Sequence, residues 1–133
     1  MLEIGKAILA SQPFSQLLGA EIIVFEQGKA ELALPLKPEH LNQHGVAHGG
    51  ILSYLADNAL TYAGGSVLGV ACVTLEMKIN YLKPGKRERL IARAHVAGSG
   101  KTQAVCQCEI FSVDADGAET LCALAQGTIW KLG

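Results

Sequence analysis

Between Glu39 and Glu76 the chain carries one formally charged side chain, Asp57, and it stands in the most apolar stretch of the sequence. An ionised carboxylate taken out of water without partners costs several kcal/mol, so its place has to be accounted for. Two readings are open for the residue alone. It is a base or nucleophile, or it is a structural aspartate satisfied by Ser53, Thr61 or backbone groups, or facing water at a helix edge. His48-Gly49-Gly50 precedes it, where a loop enters a predicted helix. The first N–H groups of a helix lack intrahelical partners and point outward with the positive end of the dipole. Glycine there lets a carbonyl approach the backbone closely. Such a helix entrance can stabilise the oxyanion of acyl transfer, although an ordinary glycine-rich helix start has the same composition.

Spacing adds a constraint. Asp57 follows Gly49 by eight positions, a rise of about 12 Å within one helix. A base and an oxyanion donor must both come within about 3 Å of one reacting group. A two-fold pairing that sets Asp57 of one subunit beside Gly49 of the other removes the conflict, so a homodimer with two equivalent interfacial sites is expected.

The elements that must position these groups follow from periodicity. Residues 5–18 show a short, broken helical pattern, and residues 22–25 and 30–36 read as two strands joined around Gln27-Gly28. An irregular polar loop over residues 38–46 leads into a helix from His48 to about Leu68 that is apolar nearly all round, the mark of a buried helix. Beyond Gly69 the period becomes two. Val73, Leu75, Met77, Ile79 and Tyr81 alternate with Thr74, Glu76, Lys78 and Asn80, and strands follow over residues 90–97, 102–113 and 120–130. Gly98-Ser99-Gly100 and Asp114-Ala115-Asp116-Gly117 mark their turns. One antiparallel sheet wrapped around one helix fits this order better than a βαβ alternation.

Composition narrows the class. The 133 residues fit one domain spanning 1–133, and 50% hydrophobic content supplies a core without disulfides or metal. A net charge of −1 gives no reason to expect nucleic acid or an anionic membrane as the main partner. Cys72, Cys106, Cys108 and Cys122 lack C-x-x-C spacing and read as small buried residues of a reducing compartment. The N-terminus lacks a secretory h-region and no unbroken apolar run spans a bilayer, so a cytoplasmic location is expected. Gly98-Ser99-Gly100-Lys101-Thr102 ends like a phosphate-binding loop, but His95 stands where glycine is required and a strand follows. His44 and His48 lack a third metal ligand, and Gly45 opposes a helix between them.

The run Asn42-Gln43-His44-Gly45-Val46-Ala47-His48-Gly49-Gly50, followed by Leu55-Ala56-Asp57, resembles the hotdog-fold thioesterases, and within them the PaaI-like branch. The pattern N-x5-H-G-G-x6-D is met by Asn42, His48, Gly49, Gly50 and Asp57, and Ile79-Asn80-Tyr81-Leu82-Lys83-Pro84-Gly85 is similar to the segment that follows. The resemblance implies an α+β hotdog fold, acyl-CoA hydrolysis without a cofactor, and a dimer that often pairs again into a tetramer. By that analogy Asp57 is nucleophile or general base. Asn42 places the attacking water or the thioester, the Gly49 N–H polarises the carbonyl beside Gly50, and His48 orients the loop rather than taking a proton.

Thr61, one turn after Asp57, matches a hydroxyl that some relatives use to hold water. Thr74 matches a polar active-site position in others, yet alternation puts it opposite Val73 and Leu75, so it reaches the site only if the strand bulges. Lys83 or Lys101, with Lys86 or Arg87, would meet a CoA phosphate, with solvated surface cations as the competing explanation. The similarity suggests aryl-acetyl or other aromatic acyl groups, with medium-chain groups open, and Phe14, Ser53, Tyr54 and Tyr62 as lining. The competing class is a non-catalytic acyl-CoA-binding or regulatory hotdog protein, opposed by the complete motif. A hotdog dehydratase would need His48 paired with an acid at a different spacing.

Overall fold

The computed structural model describes residues 1–69 and 71–133. The N-terminal helical pattern resolves into two helices, α1 (Leu2–Ala10) and α2 (Pro13–Leu18). Pro13 has no N–H to continue the first helix but suits the opening turn of the second. Strands β1 (Glu21–Glu26) and β2 (Lys29–Pro35) follow, and the polar loop contains one 3-10 turn, Pro38–His40. Then come α3 (Gly49–Leu68), β3 (Cys72–Tyr81), β4 (Arg89–Ser99), β5 (Gln103–Val113) and β6 (Glu119–Lys131).

The strands form one antiparallel sheet in the order β1-β2-β4-β5-β6-β3, which puts β1 and β3 at its edges. The sheet wraps around α3, as expected of a hotdog fold. Leu55, Ala56, Ala59, Leu60 and Ala63 are wholly excluded from solvent on that side. Gly64 brings the helix close to β6, because a Cβ there would lie 2.7 Å from the Cβ of Ile129. The opposite side of α3 is not apolar: Ser53, Tyr54, Asp57, Asn58 and Thr61 make a half-buried stripe that the sheet reaches at its β3 edge through Thr74. No helix among the described residues is long and apolar enough to cross a membrane.

Strand β3 departs from simple alternation. An unbroken pattern would place Val73, Leu75, Met77, Ile79 and Tyr81 together on the core face. Instead Thr74 pairs with Ile129 and Glu76 with Thr128, so Leu75 is an extra residue without a partner. Beyond the bulge, Met77 and Ile79 pack on the core. Before it the phase is reversed, leaving Val73 and Leu75 40% and 57% exposed and turning Thr74 towards α3. Tyr62, read from sequence as pocket lining, belongs to the core. It donates to the Gly5 carbonyl at 2.9 Å and meets Phe25 edge-on at 5.2 Å, tying α1 and β1 to α3.

Candidate active site

The bulge assembles a cluster around Asp57. Thr74 Oγ1 donates to Asp57 Oδ1 at 2.6 Å. Thr61 Oγ1 lies 2.8 Å from the Asp57 carbonyl oxygen and 3.0 Å from Thr74 Oγ1. Each hydroxyl has one proton. With that of Thr74 committed to the carboxylate, Thr61 divides its own between the Asp57 carbonyl and Thr74 Oγ1. Among the described residues nothing bonds Asp57 Oδ2. Thr74 therefore touches the acid itself, and Thr61 reaches it only through Thr74 and the Asp57 main chain.

The helix entrance is built by its own loop. His48 is the N-cap, and its Nδ1 accepts from the Gly50 N–H at 2.8 Å. The N–H groups of Ile51 and Leu52 reach the His48 carbonyl at 2.9 and 3.4 Å. The Gly49 N–H is left without a partner among the described residues, at the positive end of the helix. Gly50, grouped with it in the sequence reading, has spent its N–H on the cap. Tyr81 covers this end, donating to the Gly49 carbonyl at 3.0 Å. The sequence placed Tyr81 on a strand face and in the segment that resembles the family, with no role at the helix entrance.

Asn42 folds the loop that carries the motif. Its Oδ1 accepts from the N–H groups of His44 and Val46 at 2.9 and 3.4 Å, an Asx turn. Its side-chain contribution to a ligand is thereby confined to the amide Nδ2. The basic candidates separate. Lys83, Lys86 and Arg87 surround Gly85, whose carbonyl accepts from Ala47 N–H at 2.7 Å beside the α3 entrance. The Ser112 hydroxyl holds Lys86 by both its N–H and its carbonyl. Lys101 sits on the β4–β5 turn at the other end of β4, about 35 Å away along an eleven-residue strand.

Beside Asp57, Asn58 Nδ2 donates to Gln12 Oε1, Tyr54 Oη and Ser15 Oγ at 3.1, 3.2 and 3.3 Å. Tyr54 also donates to the buried Ser15 hydroxyl at 2.6 Å, and Phe14 packs edge-on against Tyr54 at 5.4 Å. This network, which pins α2 to α3, was missed in the sequence. The spacing of Tyr54 and Asn58, one helical turn apart, was the available signal. Two shallow grooves lie elsewhere, one between α1, α2 and β1 and one across the outer face of the sheet, and Asp57 lines neither. In a single chain the acid stands on a half-buried stripe.

The cysteines form no disulfide. Burial pushes the Cys106 and Cys122 thiols up to about 11 and Cys108 up to about 12. It raises Cys72 as well, against the opposing charge of Lys131. None of them is a thiolate at neutral pH. A group with a raised folded-state pKa lends stability below its unfolded value that is lost as pH rises through the folded one. Chemical denaturation midpoints are therefore expected to fall as pH climbs from 9 towards 11, with Cys106 and Cys122 losing their contribution in that window. A midpoint that stays level over this range would contradict the account.

Comparison with known proteins matches the family model described as "Thioesterase superfamily" over residues 44–118. Human acyl-coenzyme A thioesterase 13 is 34% identical over 128 residues, covering 94% of this chain and 88% of the relative. The acyl-coenzyme A thioesterase PaaI of Escherichia coli is 35% identical over 107 residues, covering 80% and 76%. The crystal structure of a thioesterase family protein from Silicibacter pomeroyi superposes with a TM-score of 0.90 at 34% identity, covering 96% of this chain and 95% of the other.

Proposed function

Because this chain belongs to the thioesterase superfamily, in its PaaI-like hotdog branch, and is a thioester hydrolase, we propose that it cleaves acyl-CoA to free acid and CoA at a site built from Asp57 of one protomer and Gly49 of the other. The observation that carries this reading is the half-buried Asp57 carboxyl group, with one oxygen fixed by Thr74 at the β3 edge and the other without a partner among the described residues.

The Gly49 N–H polarises the thioester carbonyl and takes up the charge that develops on its oxygen. Oδ2 of Asp57 then acts in one of two ways. As general base it takes a proton from water, whose oxygen bonds to the carbonyl carbon. As nucleophile it bonds that carbon itself, giving an anhydride that water opens. In both, the C–S bond breaks, its electron pair leaves with the CoA sulfur, and the proton released from water ends on that thiolate. Thr74 and Thr61 orient the acid, Asn42 Nδ2 donates to the water or the thioester, and His48 holds the entrance. Lys83 contributes charge for the CoA phosphates from the α3 entrance. Lys101, at the far end of the sheet, serves a CoA phosphate only where a second protomer brings it near. The Phe14–Tyr54 pair offers an apolar wall to an aromatic or medium-chain acyl group.

The two-protomer site is supported by strand β3, a ten-residue sheet edge with exposed Val73 and Leu75, the kind of edge that natural proteins cover. Thr74 marks the position of Asp57 along this strand and Tyr81 that of Gly49. Antiparallel pairing of two β3 strands, with the partner's Tyr81 opposite Thr74, sets the partner's Gly49 beside Asp57. The 12 Å rise within one helix then ceases to be an obstacle.

Subunit complementation tests this. Asp57→Ala and Gly49→Pro variants are each expected to be nearly inactive. Mixed, partly unfolded and refolded together, they should regain about a quarter of wild-type activity, since about half the dimers are mixed and one of two sites in each is intact. No recovery, with mixed dimers demonstrated, places both groups in one chain and refutes the arrangement.

A further inference from the structure

Thr74 reaches Asp57 because β3 changes face at Leu75, and the strand paired with β3 at that step is β6. We propose that Gly127, on β6, is a positioning residue for the hydrolysis, holding the β3 bulge in the register that delivers the Thr74 hydroxyl to Asp57. The inference rests on the reading of Asp57 and Thr74 given above.

In the ladder, Thr74 faces Ile129, Glu76 faces Thr128 and Met77 faces Gly127, so Gly127 comes immediately after the irregular step. There the Glu76 peptide tips over the inward side of β6. A Cβ on residue 127 would lie 2.8 Å from the Glu76 carbonyl oxygen, 3.3 Å from Leu60 Cδ1 and 3.5 Å from Met77 Cα. The first of these contacts is with backbone and cannot be relieved by turning a side chain. Leu60 behind it is wholly buried, so space cannot open on that side either. Glycine within a strand ordinarily weakens it and marks a bulge or a close backbone approach; here it marks both.

The same residue is held from the opposite face. Thr128 Oγ1 donates to Glu76 Oε1 at 2.7 Å. Gly127 thus admits the Glu76 carbonyl on the inner side, and Thr128 anchors the Glu76 side chain on the outer side. Together they define which residue of β3 is extra. Two residues before Glu76, Thr74 takes its inward direction from that choice. A methyl group at 127 forces the Glu76 peptide outward, and the displacement passes along β3 to an oxygen that has to stay 2.6 Å from Asp57 Oδ1. Gly127 touches neither substrate nor acid; it acts through Thr74.

A double-mutant cycle tests the inference with the full-length protein and an acyl-CoA substrate. Thr74→Val is expected to lower kcat about tenfold, as loss of a hydrogen bond to a charged group does, with KM changed less than about twofold. Gly127→Ala should lower kcat to a similar extent with KM equally unmoved. Added to Thr74→Val, it should cost less than about a further twofold, since both remove one interaction. Circular dichroism and thermal melting establish that each variant is folded. Where Gly127→Ala does not fold, Thr128→Val releases Glu76 without added bulk, takes its place in the cycle and must show the same non-additivity. Effects that multiply in the double variant, or a Gly127→Ala enzyme with unchanged kcat, overturn the role of Gly127 while leaving Asp57 and Thr74 in place. Full activity in Thr74→Val overturns the underlying reading and the inference with it.

Discussion

Replacement of Asp57 by Asn is expected to lower kcat by about three orders of magnitude while the fold survives, within the range for loss of a positioned acid–base group. Asn is nearly isosteric and retains an oxygen to accept from Thr74, so the contact at 2.6 Å has a successor. It cannot take a proton at neutral pH, and it is a poor nucleophile. The loss should therefore appear in kcat, with KM changing little, because the carboxylate acts mainly as the barrier is crossed. Stability should barely move: Asp57 lies on the half-buried stripe and, among the described residues, has no cationic partner to be left unpaired. Release of CoA thiol, followed against time with matched melting curves, measures both quantities. Turnover within a factor of about ten of wild type would remove Asp57 from the chemistry.

The second large effect is expected from Gly49→Pro, which deletes the N–H that the proposed oxyanion hole uses. Gly49 is the first residue of α3, a position where proline is well accommodated because no intrahelical bond is lost. His48 before it is extended, with φ −61° and ψ 137°, the conformation that a residue preceding proline favours. A Cβ at 49 meets nothing closer than the Tyr81 ring at 3.5 Å, an ordinary contact. The substitution removes the proposed oxyanion donor and sets a ring methylene where its hydrogen pointed, and is expected to reduce kcat by at least about 10²–10³-fold. Gly49→Ala keeps the N–H and serves as the control, with activity expected near wild type. Equal losses in the two variants would show that residue 49 matters through space and not through hydrogen bonding.

Several parts of this arrangement were legible without coordinates, for physical reasons that are local. A carboxylate without charged neighbours for many residues on either side is conspicuous because its desolvation is costly, and Asp57 stood out on that ground. The entrance at Gly49 was legible because helix initiation depends on a few consecutive residues. The extent of α3 followed in the same way, with Gly69 ending it. The 12 Å separation of Gly49 and Asp57 is a property of any continuous helix, and the expectation of a second protomer needed nothing more.

What the sequence could not settle is how these pieces spend their hydrogen bonds and which way they face. Asn42 looked like a free amide, yet its oxygen is consumed in folding its own loop. Gly50 looked like a second donor, yet the His48 ring takes its N–H. Such allocation depends on loop geometry that residue types do not encode singly.

The element order and the choice of Asp57 as candidate acid thus came from local chemistry, through apolar periodicity and the cost of burying charge, while the family came from the motif at Asn42, His48, Gly49, Gly50 and Asp57. The placing of Thr74 was decided only in three dimensions. Alternation along β3 could state the condition, that Thr74 turns inward if the strand bulges. The bulge lies opposite β6, a strand remote in sequence, where Gly127 faces Met77 and the Glu76 carbonyl approaches closely. Periodicity reports the facing of a regular strand; a change of register belongs to two strands packed together, and it exists only once they are.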